Sequence, residues 1–188
     1  MRTVSPRQAS SVLLPLAAAA LALAGFAALR RKRHPVGNPH VPEPLRPVSL
    51  PDYLGLWYEV ARYDQVFEKG CEGVTATYSL RPDGKIGIVN SCRTAQGQAR
   101  VSRGTAKLVP GTQGAKLKVS FFGPVYIGNY WVLDHAQDYG WSIVGDPSGR
   151  YLWLLSRAPL SGEALRGLIG RAAALGYDTS QLVITRHP

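Results

Sequence analysis

From Asp52 onward, apolar and polar residues alternate in short runs rich in Val, Ile, Tyr, Trp and Thr, and Gly, Pro and Asp separate the runs. Alternation of this kind marks strands with one buried face. It predicts eight strands, over 56–63, 73–80, 85–92, 99–109, 115–121, 126–134, 140–145 and 150–157. Between the second and third stands Arg81-Pro82-Asp83-Gly84, in which Pro fixes φ and Gly accepts a positive φ, the chemistry of a hairpin turn. The period changes once, after Ser161. Leu165, Leu168, Ile169 and Ala172 fall on one helical face, with Ser161 as N-cap and Gly176 ending the helix. A short last strand is expected at 181–185. Eight up-and-down antiparallel strands followed by one C-terminal helix predict an all-β fold, a closed β-barrel, because closure is how a long meander avoids open edges.

The first 51 residues have a different texture. An apolar, Ala-rich stretch at 12–29 reads as an apolar helix just long enough to span a bilayer, with Arg2 and Arg7 before it and Arg30-Arg31-Lys32-Arg33 after it. As a secretory signal it would be cleaved before Gly25; as an uncleaved anchor, the four trailing basic residues argue for a cytoplasmic domain. Leu23-Ala24-Gly25-Phe26 has the form of a lipoprotein cleavage box with Phe26 in place of the lipid-bearing cysteine. From His34 to Pro51, six prolines remove backbone donors, so no helix or sheet is expected, and the segment reads as a semi-rigid spacer. The expected organisation is therefore a signal or anchor at 1–33, a linker at 34–51 and the barrel at 52–188.

Charge sharpens that division. Of the net +10 in 188 residues, residues 1–47 supply +6, and the +4 left on the domain is scattered among Asp and Glu. That excludes a nucleic-acid surface. Motifs for nucleotide, zinc, hydrolase or dithiol chemistry are missing from the sequence, and neither His135, placed in a turn with Asp134 and Asp138, nor His187 predicts a metal site or a cofactor.

Leu54-Gly55-Leu56-Trp57-Tyr58-Glu59-Val60-Ala61-Arg62 resembles the G-x-W opening strand of the lipocalins. Asp138-Tyr139 and Leu155-Ser156-Arg157 stand where that family has its second and third motifs. The stretches 74–80, 118–124 and 151–157 further resemble the bacterial outer-membrane lipocalins, an apolipoprotein D-like branch. The resemblance covers about 48–187. It implies an eight-stranded calyx that binds a fatty acid or lysophospholipid without catalysing a reaction, and a domain on the periplasmic side of a bacterial envelope, at the outer membrane or tethered by the N-terminal segment. It also implies that Trp57 plugs the closed end, with Arg157 stacked on the indole.

With those two residues pointing inward, period-2 alternation turns Glu59 and Ala61 inward on the first strand and Tyr151, Trp153 and Leu155 inward on the eighth. By resemblance the cavity also takes Ala76, Tyr78, Ile88, Val119, Phe121, Tyr130 and Val132. Glu59 is the polar exception, either pairing with an arginine or orienting a polar headgroup. Cys71 and Cys92 lie near facing ends of one hairpin. They form either a cross-strand disulfide, which would place the domain in an oxidising compartment, or two reduced thiols, one of them buried.

The leading expectation is a carrier or store for a single-chain amphiphile, serving envelope lipid maintenance or transport. The alternative is an enzyme on the same barrel, an isomerase or de-epoxidase of a lipophilic substrate. A third reading is a barrel with a filled interior that acts only as a binding partner. Oligomeric state is left open by the sequence, a homodimer included.

Overall fold

A computed structural model describes residues 35–187. The expectations for 1–33, including cleavage, anchoring and topology, lie outside the described residues. Strands β1 (Gly55–Tyr63), β2 (Cys71–Leu80), β3 (Ile86–Thr94), β4 (Ala99–Leu108), β5 (Lys116–Ser120), β6 (Gly128–His135), β7 (Trp141–Gly145) and β8 (Leu152–Ser156) pair antiparallel with their sequence neighbours. β1 then pairs with both β8 and β2, which closes the barrel. A short β9 (Leu182–Ile184) adds to the far half of β1.

One irregularity in β1 decides which residues enter the barrel. Glu59 faces Leu155 and Ala61 faces Leu154, so Val60 is an extra residue on β1. A bulge of this kind reverses the alternation beyond it. Trp57 and Glu59 point inward, Val60 and Ala61 both join the apolar cluster on the outer wall, and Arg62 takes the inward position across from Trp153. Ala61 therefore does not line the cavity, contrary to simple alternation.

That outer cluster is covered by helix α2 (Gly162–Ala174), whose Leu168 and Ala172 are buried against Val60, Ala61, Leu133, Ile143, Leu152 and Leu154. Ser161 occupies the N-cap position but makes no side-chain cap bond, while Gly176 ends the helix with φ +90. The inner cluster fills the barrel with Tyr53, Trp57, Tyr78, Ile86, Ile88, Ala106, Leu117, Val132, Val144 and Leu155.

The proline-rich stretch is not a free spacer. Pro35 onward belongs to the same compact unit as the barrel. The residues between its prolines donate where prolines cannot: Gly37 and Asn38 N–H to the Gly149 carbonyl, Leu45 N–H to Leu133, and Val48 N–H to Gln113. Glu43 pairs with Lys116 at 2.6 Å and Arg46 with Asp134 at 3.1 Å. Asn38, buried, donates its side-chain amide to the Leu175 carbonyl at 2.8 Å. His135, at the end of β6 instead of in a turn, holds the Pro47 carbonyl through Nε2 at 2.9 Å.

A short helix, α1 (Leu50–Tyr53), ends this strap and contradicts the expectation of no helix there. Pro51 lies in its first turn, where the missing N–H has no intrahelical partner to lose. α1 places Tyr53 at the floor of the barrel, where its carbonyl accepts from Trp57 Nε1 at 2.8 Å. Arg157 completes the floor. Its guanidinium carbon sits 3.9 Å from the centroid of the Trp57 ring, and its Nη atoms donate to the Leu56 and Asp52 carbonyls at 2.8 and 2.7 Å.

Trp57→Ala is expected to destabilise the domain by about 3–5 kcal/mol, the range for losing a buried aromatic, and Arg157→Ala by less. A double-mutant cycle on denaturant midpoints should show non-additivity; simple additivity would mean that the stacked pair is not an energetic unit. Gly149 has φ +65, and a Cβ there would overlap the Asn38 carbonyl. Gly149→Ala should cost more than the ~1–2 kcal/mol of a left-handed non-glycine residue, and proteolysis should then cut within 35–47 first.

Candidate functional site: the calyx interior and its mouth

The connections β1–β2, β3–β4, β5–β6 and β7–β8 lie at one end of an up-and-down barrel, and α1, Trp57 and the even-to-odd turns at the other. The second end is closed. Of the expected lining residues, Ala76, Tyr78, Ile88, Val119, Tyr130, Val132 and Trp153 share the inner cluster. Tyr151 lies just before β8 and stacks on Trp153, with centroids 5.7 Å apart. Phe121 lies past the end of β5, over Gly104 and 37% exposed, so it belongs to the rim and not to the buried wall.

The lower half is packed around three phenols. Tyr130 Oη lies 2.9 Å from Tyr53 Oη and accepts from Tyr78 Oη at 3.0 Å, and Tyr53 also reaches Ser142 Oγ at 3.1 Å. Burial pushes all three phenols up, Tyr53 to about 12, so they remain neutral hydrogen-bonding groups. Between this cluster and α1 a void of about 20 Å³ remains, lined by Val48, Leu50, Tyr53, Ile86, Leu117 and Tyr130 among others. That is room for about one water, against the ~300 Å³ or more of a typical ligand site.

The upper half is polar. Arg62, buried, donates to Glu59 Oε1 at 2.8 Å and to Thr185 Oγ1 at 3.1 Å, and Thr185 in turn donates to the same carboxylate oxygen at 2.5 Å. Nη2 of Arg62 bonds the Glu68 and Cys71 carbonyls, while its Nε has no hydrogen-bond acceptor and lies 3.8 Å from Glu68 Oε2. Glu68 closes a 3₁₀ turn, Val66–Glu68, that lies across the mouth, and it accepts from Trp153 Nε1 at 3.2 Å. His187 Nε2 donates to the Glu59 carbonyl at 2.6 Å. Glu59 is thus engaged by Arg62 and Thr185, which is the pairing alternative of the sequence reading. Asn90, inward on β3 beyond Ile88, has a buried Oδ1 with no partner among the described residues.

Cys71 and Cys92 form a disulfide that ties β2 to β3 at this end. Alternation could not locate Arg62 inside because the bulge is invisible to it, and Glu68 reaches the mouth only through the fold of its turn.

Two carboxylates share one buried guanidinium, and the electrostatics follow from that. Burial, then the neighbouring Glu59, push the Glu68 carboxyl from its ordinary 4.5 to about 8, against the Trp153 hydrogen bond and Arg62. Burial also raises Glu59, with Arg62 and Thr185 opposing. Glu68 therefore holds its proton to higher pH than an exposed carboxyl does.

For a carboxyl raised on folding, the folded chain holds the proton more tightly, so its stabilising contribution is complete below about 4.5 and is lost as pH rises through about 8. The denaturant midpoint of the wild type should fall across this window, and Glu68→Gln should flatten the fall. Trp153 emission should titrate near pH 8 in the wild type and not in Glu68→Gln; identical profiles would remove Glu68 from the mouth.

A family model described as a lipocalin-like domain matches residues 48–187. The chain is 42% identical over 138 residues to the outer membrane lipoprotein Blc of Escherichia coli K12, covering 72% of this chain and 77% of that protein. It is 36% identical over 140 residues to apolipoprotein D of Macaca fascicularis, covering 71% and 74%. The fold is similar to that of insecticyanin from the tobacco hornworm Manduca sexta, with a TM-score of 0.62 at 20% identity over 78% of this chain and 84% of the other. With its opening strand, disulfide-bonded hairpin and closing arginine all inside the matched span, the chain belongs to the lipocalin family.

Proposed function

We propose that the domain carries or stores one single-chain amphiphile, a fatty acid or lysophospholipid, for lipid maintenance or transport in a bacterial envelope, and that it catalyses no reaction. The observation that carries this reading is the division of the interior. An apolar wall of Ala76, Ile88, Val119 and Trp153 stands between a floor sealed by phenols and a mouth set with Arg62, Glu68 and Asn90. An acyl tail suits the wall, and a headgroup with hydrogen-bonding oxygens suits the mouth. Loading requires the Val66–Glu68 turn to swing aside, which breaks the Glu68–Trp153 bond together with those from Arg62 to the Glu68 carbonyl and from Arg100 to the Phe67 carbonyl. The Cys71–Cys92 bridge supports an oxidising compartment, hence the periplasmic side. Relatives named as outer membrane lipoproteins support the envelope, although Phe26 stands in this chain where the cleavage box would carry its lipid-bearing thiol.

A second reading draws on the void of about 20 Å³, which favours a barrel with a filled interior acting only as a binding partner. Titration of fatty acids of increasing length, followed by Trp153 emission, separates the two. In the carrier, each buried methylene adds about 0.8 kcal/mol, roughly fourfold in affinity, until the tail meets Tyr53, Tyr78 and Tyr130. Asn90→Trp, which places an indole across the upper lumen, should weaken binding and shorten the optimal chain; Ala61→Trp, on the outer wall, is no such block. Equal affinity at every length, or unaltered binding by Asn90→Trp, would favour the filled barrel.

A further inference from the structure

The three most exposed large apolar side chains among the described residues lie at the mouth, while Leu80 (60%) and Leu45 (58%) stand exposed elsewhere. Phe122 is 87% exposed, Ile127 79% and Val66 73%, and Phe67, Val101, Phe121 and Val125 stand with them on the open half of the barrel. The β5–β6 connection, Phe121–Ile127, contains no charged residue, and Gly123-Pro124 turns it so that Phe122 and Val125 flank the tip. Lys69, Arg93, Arg100 and Arg103, all exposed, lie on the same half and outnumber its surface acids, Asp64 and Glu72, the latter opposite Arg93 in the β2–β3 register. At the closed end the β2–β3 turn carries Asp83 paired with Arg81 and Lys85, each at 3.2 Å, beside a single exposed Leu80.

The strap adds an independent observation. It runs from α1 at the closed end along the barrel to Gly37 and Asn38, which are bonded to Gly149 in the β7–β8 connection, so the described chain begins at the open end. Only residues 30–34, Arg-Arg-Lys-Arg-His, separate Pro35 from the apolar stretch at 12–29. Five residues span at most about 18 Å when fully extended. An apolar stretch this near in sequence to the open end points to a lipid bilayer as what that end meets.

We propose that the open end is a membrane-docking face, in which Val66, Phe67, Phe122, Val125 and Ile127 enter the headgroup region of an anionic phospholipid bilayer while Lys69, Arg93, Arg100 and Arg103 meet its phosphates. Apolar tips ringed by basic residues are the pattern of interfacial binding, where burial and charge attraction add. A second copy of this chain would bring the same basic ring against itself, which disfavours it as the occupant. The strap then acts as a directional tether, and an amphiphile passes between bilayer and barrel without crossing water. The purpose of the face rests on the carrier reading; its existence does not.

The test uses the full chain reconstituted in vesicles of phosphatidylethanolamine and phosphatidylglycerol. Both native cysteines are bridged, so Phe122→Cys and Asp83→Cys each offer a single thiol for an environment-sensitive dye, one at each end. With brominated acyl chains in the vesicles, the dye at 122 should lose emission, as expected for a group at the headgroup–acyl boundary, and the dye at 83 should be unchanged. Adding Val66→Asp and Ile127→Asp to the 122-labelled chain should return its signal to the level at 83. Equal quenching at both positions, none at 122, or shielding of the 122 dye that rises with protein concentration in the absence of vesicles would overturn the docking face. Native mass spectrometry of the same samples reads lipid loading: a loaded barrel with no quenching at 122 removes the face and keeps the carrier, and quenching with an empty barrel does the reverse.

Discussion

Strand β1 has to serve three neighbours with one backbone, and most of the architecture follows from how it does so. Its first residues pair with β2, its middle with β8 and its end with β9. A regular strand would keep one set of side chains inside throughout. Trp57 and Glu59 face the lumen ahead of the bulge, and the extra residue at Val60 then hands Val60 and Ala61 to the helix outside and brings Arg62 back in. The sealed floor, the covered outer wall and the charged mouth are thus set by one strand and its single irregularity.

Placing a guanidinium inside a barrel is costly unless its hydrogen-bonding positions are filled. Arg62 meets most of that requirement through its two Nη atoms, with Glu59, Thr185 and two carbonyls, one from the mouth turn and one from Cys71 at the start of β2, while its Nε lies 3.8 Å from the Glu68 carboxyl without a hydrogen bond. Its position therefore depends on the turn being closed and on the C-terminal residues being wedged beside β1. Phenols without charge fill the floor instead, where burial keeps them neutral. The interior is graded from apolar and neutral at the bottom to ionic at the top, the order in which an amphiphile's own polarity runs.

Much of this was legible before the structure. The eight strands, the helix and its end at Gly176 follow from alternation, turn residues and a change of period, because those signals are local. Trp57 and Arg157 follow from motif positions, and they meet at 3.9 Å. The failures share a cause: each depends on a partner distant in sequence. Ala61 went astray because a bulge has no local signature in a run such as Glu59-Val60-Ala61-Arg62. The strap was misread because six prolines do exclude a ladder, yet single donors at Gly37, Asn38, Leu45 and Val48 are enough to fasten a chain that forms neither helix nor sheet along most of its length. Arg62 and Glu68 were not singled out, because only the bulge and the 3₁₀ turn direct them inward.

The contacts that finish the molecule join its two ends. Asn38 holds the carbonyl of Leu175, 137 residues away, Arg157 holds Asp52, and β1 pairs with β8. Contacts of such sequence separation come late in folding, since the entropy of closing long loops is spent before they stabilise anything. The first strand made is thus among the last to be fully paired, and the strap cannot lie down until helix α2 has formed. During that interval β1 and β8 are open edges carrying apolar side chains, the condition in which strands pair with the wrong chain.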